Sequence, residues 1–246
     1  MMPVVFSLGR LHLYSYGVSI SAGVLLALLM MVRLSKVQGF PKSEQVFDMV
    51  FCSVFFGFLG ARIYFVIQNI DFYIDRPGHV FAFWEGGLIF YGGLIDASLA
   101  LIIFFSVKGI GVLKGFDFIA PYVAFCHAFG RIGCFLNGCC HGNVCDLPWA
   151  VTFPGEEVSR HPVQLYEAFL NLALFAALKM YYRKRKFDGQ ILAFYFGGYA
   201  CIRWLMEVFR SENPAWAGMT YNQWISIFIA VVAAGIYLKG KKHAVT

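Results

Sequence analysis

The chain has 246 residues, of which 59% are hydrophobic and only 14% charged, and its 20 Lys and Arg outnumber its 14 Asp and Glu to leave a net charge of +6. An ordinary globular domain is about 25% charged, so these proportions, with a mean hydropathy of +0.66, exclude a soluble enzyme. The 27 Phe and eight scattered Pro also exclude a disordered or collagen-like chain.

About 20 apolar residues make a helix that crosses a hydrocarbon core of about 30 Å, and seven such runs are predicted. The expectation is an all-α, seven-span membrane protein forming a single domain over residues 1–246. Span one, Tyr16 to Leu34, has no basic stretch before it and no small-residue cleavage site after it, so it reads as a span and not a removable signal. Tyr16 marks its outer end. Span two, Val46 to Ile67, carries Arg62. Span three, Gly86 to Val107, opens Gly86-Gly87-Leu88-Ile89-Phe90-Tyr91-Gly92-Gly93, where Tyr91 either hydrogen-bonds into a cavity or joins an interfacial aromatic belt.

Span four, Asp117 to Leu136, is read with Asp117 as its N-cap. It closes in the densest motif, Gly130-Arg131-Ile132-Gly133-Cys134-Phe135-Leu136-Asn137-Gly138-Cys139-Cys140-His141-Gly142. Gly130, Gly133, Gly138 and Gly142 clear space around Arg131 and Asn137 for a ligand or a neighbouring helix. Span five, Pro162 to Tyr182, follows Arg160-His161 and aligns Gln164, Glu167 and Asn171 on one face. His161, at the lip, titrates near pH 6.5 and is a candidate proton acceptor. Span six, Gly189 to Phe209, carries Tyr199, Arg203 and Glu207 as an i, i+4, i+8 stripe, and span seven runs from Asn222 to Leu238.

Charge sets the orientation. With the N-terminus outside, the inner loops and tail hold thirteen cations, Arg33, Lys36, Lys42, Lys108, Lys114, Lys179, Arg183, Lys184, Arg185, Lys186, Lys239, Lys241 and Lys242, against Arg10, Arg76, Arg160 and Arg210 outside. That asymmetry predicts N-out, C-in, and makes the basic excess a topology signal that needs no nucleic acid. Tyr14, Tyr16, Tyr73, Trp84, Trp149, Trp216, Tyr221 and Trp224 cluster at the predicted outer boundary, where residues 138–161 are expected to form a short loop or small head.

Arg62, Arg131 and Arg203 remain, each inside an apolar run. Burying an arginine in a membrane costs at least ~2.5 kcal/mol, so each needs a partner or water. Counted at 1.5 Å per residue, they sit about 21–24 Å up a core of about 30 Å, which predicts an outer-leaflet cavity rich in positive charge. A guanidinium grips a phosphate with two parallel hydrogen bonds. Two plainer readings stay open: Arg203 pairs internally with Glu207 while Arg210 snorkels to the surface, and Glu167 is the counter-ion of Arg62 or Arg131. Cys134, Cys139, Cys140 and Cys145, at the predicted outer surface, suit a disulfide from Cys145 to Cys139 or Cys140, or free packing thiols. A metal site is disfavoured because no C-x2-C pair is present.

These motifs resemble the prolipoprotein diacylglyceryl transferases, enzymes of the bacterial inner membrane. The resemblance runs over Tyr16-Gly17, Gly60-Ala61-Arg62-Ile63, Gly87 to Gly93, Gly130 to Gly142, Arg160 to Glu167, and Arg203 through Glu207 to Arg210. It implies an active site on the periplasmic side, open to the lipid. There the diacylglyceryl group of phosphatidylglycerol passes to the lipobox cysteine thiol of a preprolipoprotein signal peptide, with glycerol phosphate released. Arg131, Arg203, His161, Tyr16 and Glu207 are the expected catalytic residues. Arg131, Arg62, Tyr91, Asn137, Gly142, Tyr199, Gln164 and Glu167 are expected to bind substrate, with no cofactor and no metal. The family usually has His at Tyr91, Asn at Cys134 and Glu at Cys139, which leaves His161, Glu207 or Tyr16 as the base. The rival readings are a relative with another acceptor, a membrane thiol-disulfide oxidoreductase using the cysteine cluster, and an anion carrier lined by the arginines.

Overall fold

The apolar runs fold as helices α1 (Ser15–Gln38), α2 (Ser43–Gln68), α4 (Phe90–Val107), α5 (Val112–Asn137), α6 (Val163–Tyr182), α7 (Gln190–Glu207) and α8 (Tyr221–Val245), with a short α3 (Ile70–Asp75) between α2 and a 3-10 turn at Pro77–Phe81. The computed structural model describes residues 4–8, 11–83, 86–210 and 216–245. Arg10 and Trp84, used above for topology, lie outside the described residues. Among the described helices, six are long and apolar enough to cross a membrane: α1, α2, α4, α5, α6 and α8. The seventh, α7, spends Gln190, Arg203 and Glu207 within its 18 residues and is not one of them. Two small antiparallel hairpins accompany the helices: β1 (Val4–Leu8) with β2 (Leu11–Tyr14), leading directly into α1, and β3 (Val151–Thr152) with β4 (Ser159–Arg160).

The chain divides into two compact units, residues 30–115 and residues 1–29 with 116–246. In the first, α2 and α4 approach backbone to backbone. A Cβ on Gly93 would lie 2.7 Å from the Gly57 carbonyl oxygen, and one on Gly92 would lie 2.8 Å from that of Gly60. In lipid, where apolar surface gains nothing by leaving the solvent, such small-residue contacts supply the packing energy. Gly93→Val should therefore push the helices apart and cost about 1–3 kcal/mol, read as a lower unfolding midpoint in detergent. An unchanged midpoint would show that the two helices tolerate the gap. Helix α4 starts at Phe90 instead of Gly86, because Gly86 and Gly87 have φ of +80° and +77°. Those left-handed angles end any helical continuation.

In the second unit, α6 and α7 pack through Val163, Ile202 and Met206, flanked by Tyr166, Leu170, Leu174 and Phe209. Asp117 corrects the expectation of a local N-cap. Helix α5 already begins at Val112, and the buried Asp117 carboxylate instead accepts the Gly189 and Leu192 backbone N–H groups at 2.8 and 2.9 Å. It thus caps α7 from a different helix. An aspartate followed by a helical run looks the same in sequence whichever helix end it satisfies. Asp117→Ala leaves two buried donors without acceptors, and a loss of about 2 kcal/mol is expected. Hydrogen exchange at residues 189–192 should rise with it, and protection equal to the unmodified protein would contradict the cap.

Candidate active site

The last turn of α5 is built by its glycines. Gly138, at φ +76°, ends the helix: its N–H donates to the Phe135 carbonyl at 3.1 Å, and the Cys139 N–H donates to the Cys134 carbonyl at 3.2 Å. This pair of bonds is a Schellman motif, which folds the chain back over the final turn. The fully buried Gln164 of α6 fastens the reversal, donating from Nε2 to the Cys139 carbonyl at 2.6 Å. Gly142 then enters a ladder with His161 and Phe209, its N–H donating to the His161 carbonyl at 3.0 Å while Asn143 N–H donates to Phe209. A Cβ at Gly142 would meet the Phe209 carbonyl oxygen and a Val163 methyl at 2.5 Å each. No other residue fits there.

Beneath this turn lies an ion cluster around Glu167, whose side chain is fully buried on α6. Its Oε1 is 3.0 Å from Arg131 Nε and 3.5 Å from His127 Nε2, and its Oε2 is 3.6 Å from Arg210 Nη2. Glu167 therefore pairs with Arg131, one of the two partners left open by sequence. Along α7, Arg203 Nη2 lies 3.2 Å from Glu207 Oε2, as the i, i+4 spacing suggests. Glu207 also accepts from Thr220 Oγ1 at 2.5 Å and Asn222 Nδ2 at 3.5 Å. The expectation that Arg210 snorkels outward is corrected: it turns in toward Glu167 because that buried carboxylate needs compensation.

Among the described residues, three guanidinium groups, Arg131, Arg203 and Arg210, thus gather around two carboxylates, Glu167 and Glu207. Burial, reinforced by the Arg203 and Arg131 charges, lowers the Arg210 pKa from its usual value. Guanidinium groups gathered in this way can grip a phosphate through paired hydrogen bonds. The Tyr199 ring lies 5.0 Å from that of His127, tilted by 42°. His127 was not singled out as a site residue by sequence, although it lies four residues before Arg131 on the same face of α5.

Tyr16, at the start of α1, packs against Gly133, where a Cβ would lie 3.1 Å from the Tyr16 ring. Asn137 is the exposed final residue of α5. His161 sits against the Phe209 ring, with Nδ1 3.4 Å from the Tyr166 hydroxyl, which accepts from Trp149 Nε1 at 2.7 Å. The three sulfurs of Cys134, Cys139 and Cys140 gather within 4.8 Å of one another. The Cys140 thiol is pulled down by hydrogen bonding to Cys134 and Cys139 and by the charges of Arg131 and Arg210, whereas burial and Cys140 push Cys139 up. All seven cysteines are free. Cys145, expected to bridge to this group, is carried away by its own backbone pairing with Ser159 at 3.1 Å.

In the unit of residues 30–115, Arg62 is occupied differently from the expected phosphate grip. Its five N–H donors reach five backbone carbonyls: Nε to Val80 at 3.0 Å, Nη1 to Gly86 and Gly87 at 2.5 and 3.2 Å, and Nη2 to His79 and Ala82 at 2.6 and 3.3 Å. Phe65, Tyr73 and Phe83 surround the guanidinium with ring centroids 5.5–5.8 Å away. Tyr91 is 52% exposed near the start of α4.

The family model described as prolipoprotein diacylglyceryl transferase matches residues 3–239 of this chain. Among similar proteins, the phosphatidylglycerol--prolipoprotein diacylglyceryl transferase of Pasteurella multocida (strain Pm70) is 37% identical over 229 residues, covering 92% of this chain and 84% of that protein. The protein of the same name from Bordetella parapertussis is 36% identical over 247 residues, covering 96% and 94%. That of Clostridium tetani is 30% identical over 243 residues, covering 96% and 97%.

Proposed function

The chain belongs to the prolipoprotein diacylglyceryl transferase family, and from that premise we propose how this multi-pass membrane enzyme carries out the transfer from phosphatidylglycerol to a prolipoprotein. The acceptor is the lipobox cysteine thiol of the signal peptide. The chain spans the inner membrane seven times, N-out and C-in, with α7 as the least apolar span and the Glu167 cluster toward the periplasmic side. Residues 138–161 form a small head there. The charge asymmetry of the loops supports that orientation.

The gathering of three guanidinium groups, Arg131, Arg203 and Arg210, beside Glu167 and Glu207 carries the reading. The acceptor S–H gives up its proton to solvent, and attack of sulfur on the glyceryl CH2 forms an S–C bond and breaks the C–O bond to phosphate, leaving the electron pair on the departing glycerol phosphate. Charge grows on phosphate oxygens. Fixed cations in a site of low dielectric stabilise that growth without reorganising. Arg131 and Arg203 take this role, with Arg210 added to the expected set. Glu167 and Glu207 orient the guanidinium groups, and Tyr199, Gln164 and Gly142 shape the cavity wall. Tyr16 and Asn137 border the reacting thiol, and His161 holds the lip through Tyr166. Tyr91 contacts lipid. Arg62 we assign to holding residues 79–82 and Gly86 and Gly87 in place, since its donors are already used there.

The test is purified protein with phosphatidylglycerol and a lipobox peptide. One diacylglyceryl thioether and one glycerol phosphate should form per turnover, and a peptide with Ser in place of the acceptor cysteine should give neither. Product formed equally from the serine peptide would refute the thiol acceptor. Absence of product with several phospholipids would refute the lipid donor.

A further inference from the structure

The three-thiol group at the end of α5 is the cluster of reactive side chains that the ion pairs leave unexplained. Cys134 lies in the last helical turn, Cys139 is brought back over it by the Schellman bonds, and Cys140 adopts φ +66°, a left-handed angle costly to a residue with a Cβ. That conformation sets Cys140 Sγ 3.5 Å from Cys139 Sγ, and all three sulfurs lie within 4.8 Å of one another. Thiolates bound at about 2.3 Å to one zinc ion stand about 3.8–4.0 Å apart, so the Cys139–Cys140 pair must open by a few tenths of an ångström and no pair must close by more than about 1 Å. Among the described residues, no fourth His, Cys, Asp or Glu atom joins the group. Three protein ligands with one open position is the arrangement of a reactive zinc, whereas purely structural zinc is enclosed by four.

The proton of the acceptor gives such a site a purpose. A free thiol has a pKa near 8.5 and is mostly protonated at neutral pH. The two buried carboxylates beside the site, Glu167 and Glu207, are tied to Arg131 and Arg203, and taking up a proton would break those pairs. A thiol that coordinates a zinc ion loses its proton outright.

We propose that Cys134, Cys139 and Cys140 hold a zinc ion through three thiolates, and that its open position takes and activates the acceptor cysteine of the protein substrate. The proposal rests on the transferase reading above. On binding, the acceptor S–H bond breaks, its proton leaves to water, and a sulfur–zinc bond forms. In transfer, the same sulfur bonds to the glyceryl CH2 while the sulfur–zinc bond and the C–O bond break, the electron pair of the C–O bond stays on the phosphate, and the open position is freed. Zinc is neither oxidised nor reduced. One thiol and one phosphodiester give one thioether, one phosphomonoester and one proton. Arg131 and Arg210, whose charges already act on Cys140, offset the negative charge of the thiolates.

Full-length protein, reduced and kept free of oxygen in detergent, is titrated with Co2+ as a spectroscopic stand-in for zinc. One ion per chain should bind with a thiolate-to-metal charge-transfer band. The band should be lost in Cys134→Ser and Cys140→Ser and kept in Cys145→Ser. A lipobox peptide should shift the cobalt spectrum, and its serine counterpart should not. Cobalt uptake no greater than in the triple Cys→Ser variant overturns the site. So does recovery of two of the three cysteines as a disulfide from the reduced protein. A spectrum indifferent to the peptide overturns the open position. The two readings separate in the transfer assay: undiminished product after chelation removes the zinc role and leaves the transferase standing. A peptide-responsive cobalt protein that makes no product in its zinc form removes the transferase and leaves the metal site.

Discussion

Arg131→Ala is expected to lower the transfer rate by about 10²–10³-fold, the usual loss when one preorganised charge is removed from a transition state. The same substitution strips Glu167 of its nearest cation at 3.0 Å and leaves a buried carboxylate leaning on Arg210 at 3.6 Å. Breaking one side of a buried pair costs about 3–5 kcal/mol, so the variant is expected to be unstable as well as slow. The two effects separate in the double variant Arg131→Ala/Glu167→Gln. Neutralising both partners should return much of the unfolding midpoint while leaving the rate at its low value. If the rate returned with the stability, Arg131 would be a structural cation only, and the proposed role in charge stabilisation would be lost. Arg131→Lys should fall between, since an ammonium keeps the charge but cannot offer the planar fork to a phosphate.

Arg62→Lys is expected to loosen residues 79–82 and Gly86 and Gly87, although the charge is kept. The guanidinium uses five donors on five carbonyls, whereas an ammonium has three. At least two carbonyls lose their partner inside a side chain that is 3% exposed, and at about 1–3 kcal/mol for each the loss is about 2–6 kcal/mol. Stacking on Phe65, Tyr73 and Phe83 is weakened too, because the flat ion suits those faces better than a compact one. Amide exchange in residues 79–82 and at Gly86 and Gly87 should accelerate, and proteolysis should cut there first. Unchanged protection with a weakened affinity for phosphatidylglycerol would reverse the assignment and return Arg62 to the lipid.

Arg62 and Arg131 show how far a sequence reaches into such a site. Both announce themselves as cations in apolar runs, a costly arrangement that demands compensation. What compensates them is invisible in the local pattern. Arg203 and Glu207 were legible as a pair because four residues on a helix bring them to one face. Arg131 and Glu167 come from different helices, and Arg62 meets carbonyls 17 to 25 residues away. Asp117 was legible as a cap but not as a cap for α7, since the donors it serves are more than 70 residues distant.

The helices, their order, the glycine-rich turn after α5 and the family itself were set by the sequence alone, because apolar run length and glycine placement act locally through backbone geometry and solvent transfer. Only the tertiary structure decided which cation faces which acid, that Arg210 turns inward, that Arg62 is spent on backbone, and that three of four clustered cysteines meet while Cys145 does not. Those outcomes depend on where separate helices place their side chains, and the energy of a buried charge is settled by what lies within about 4 Å of it, from whatever part of the chain it comes.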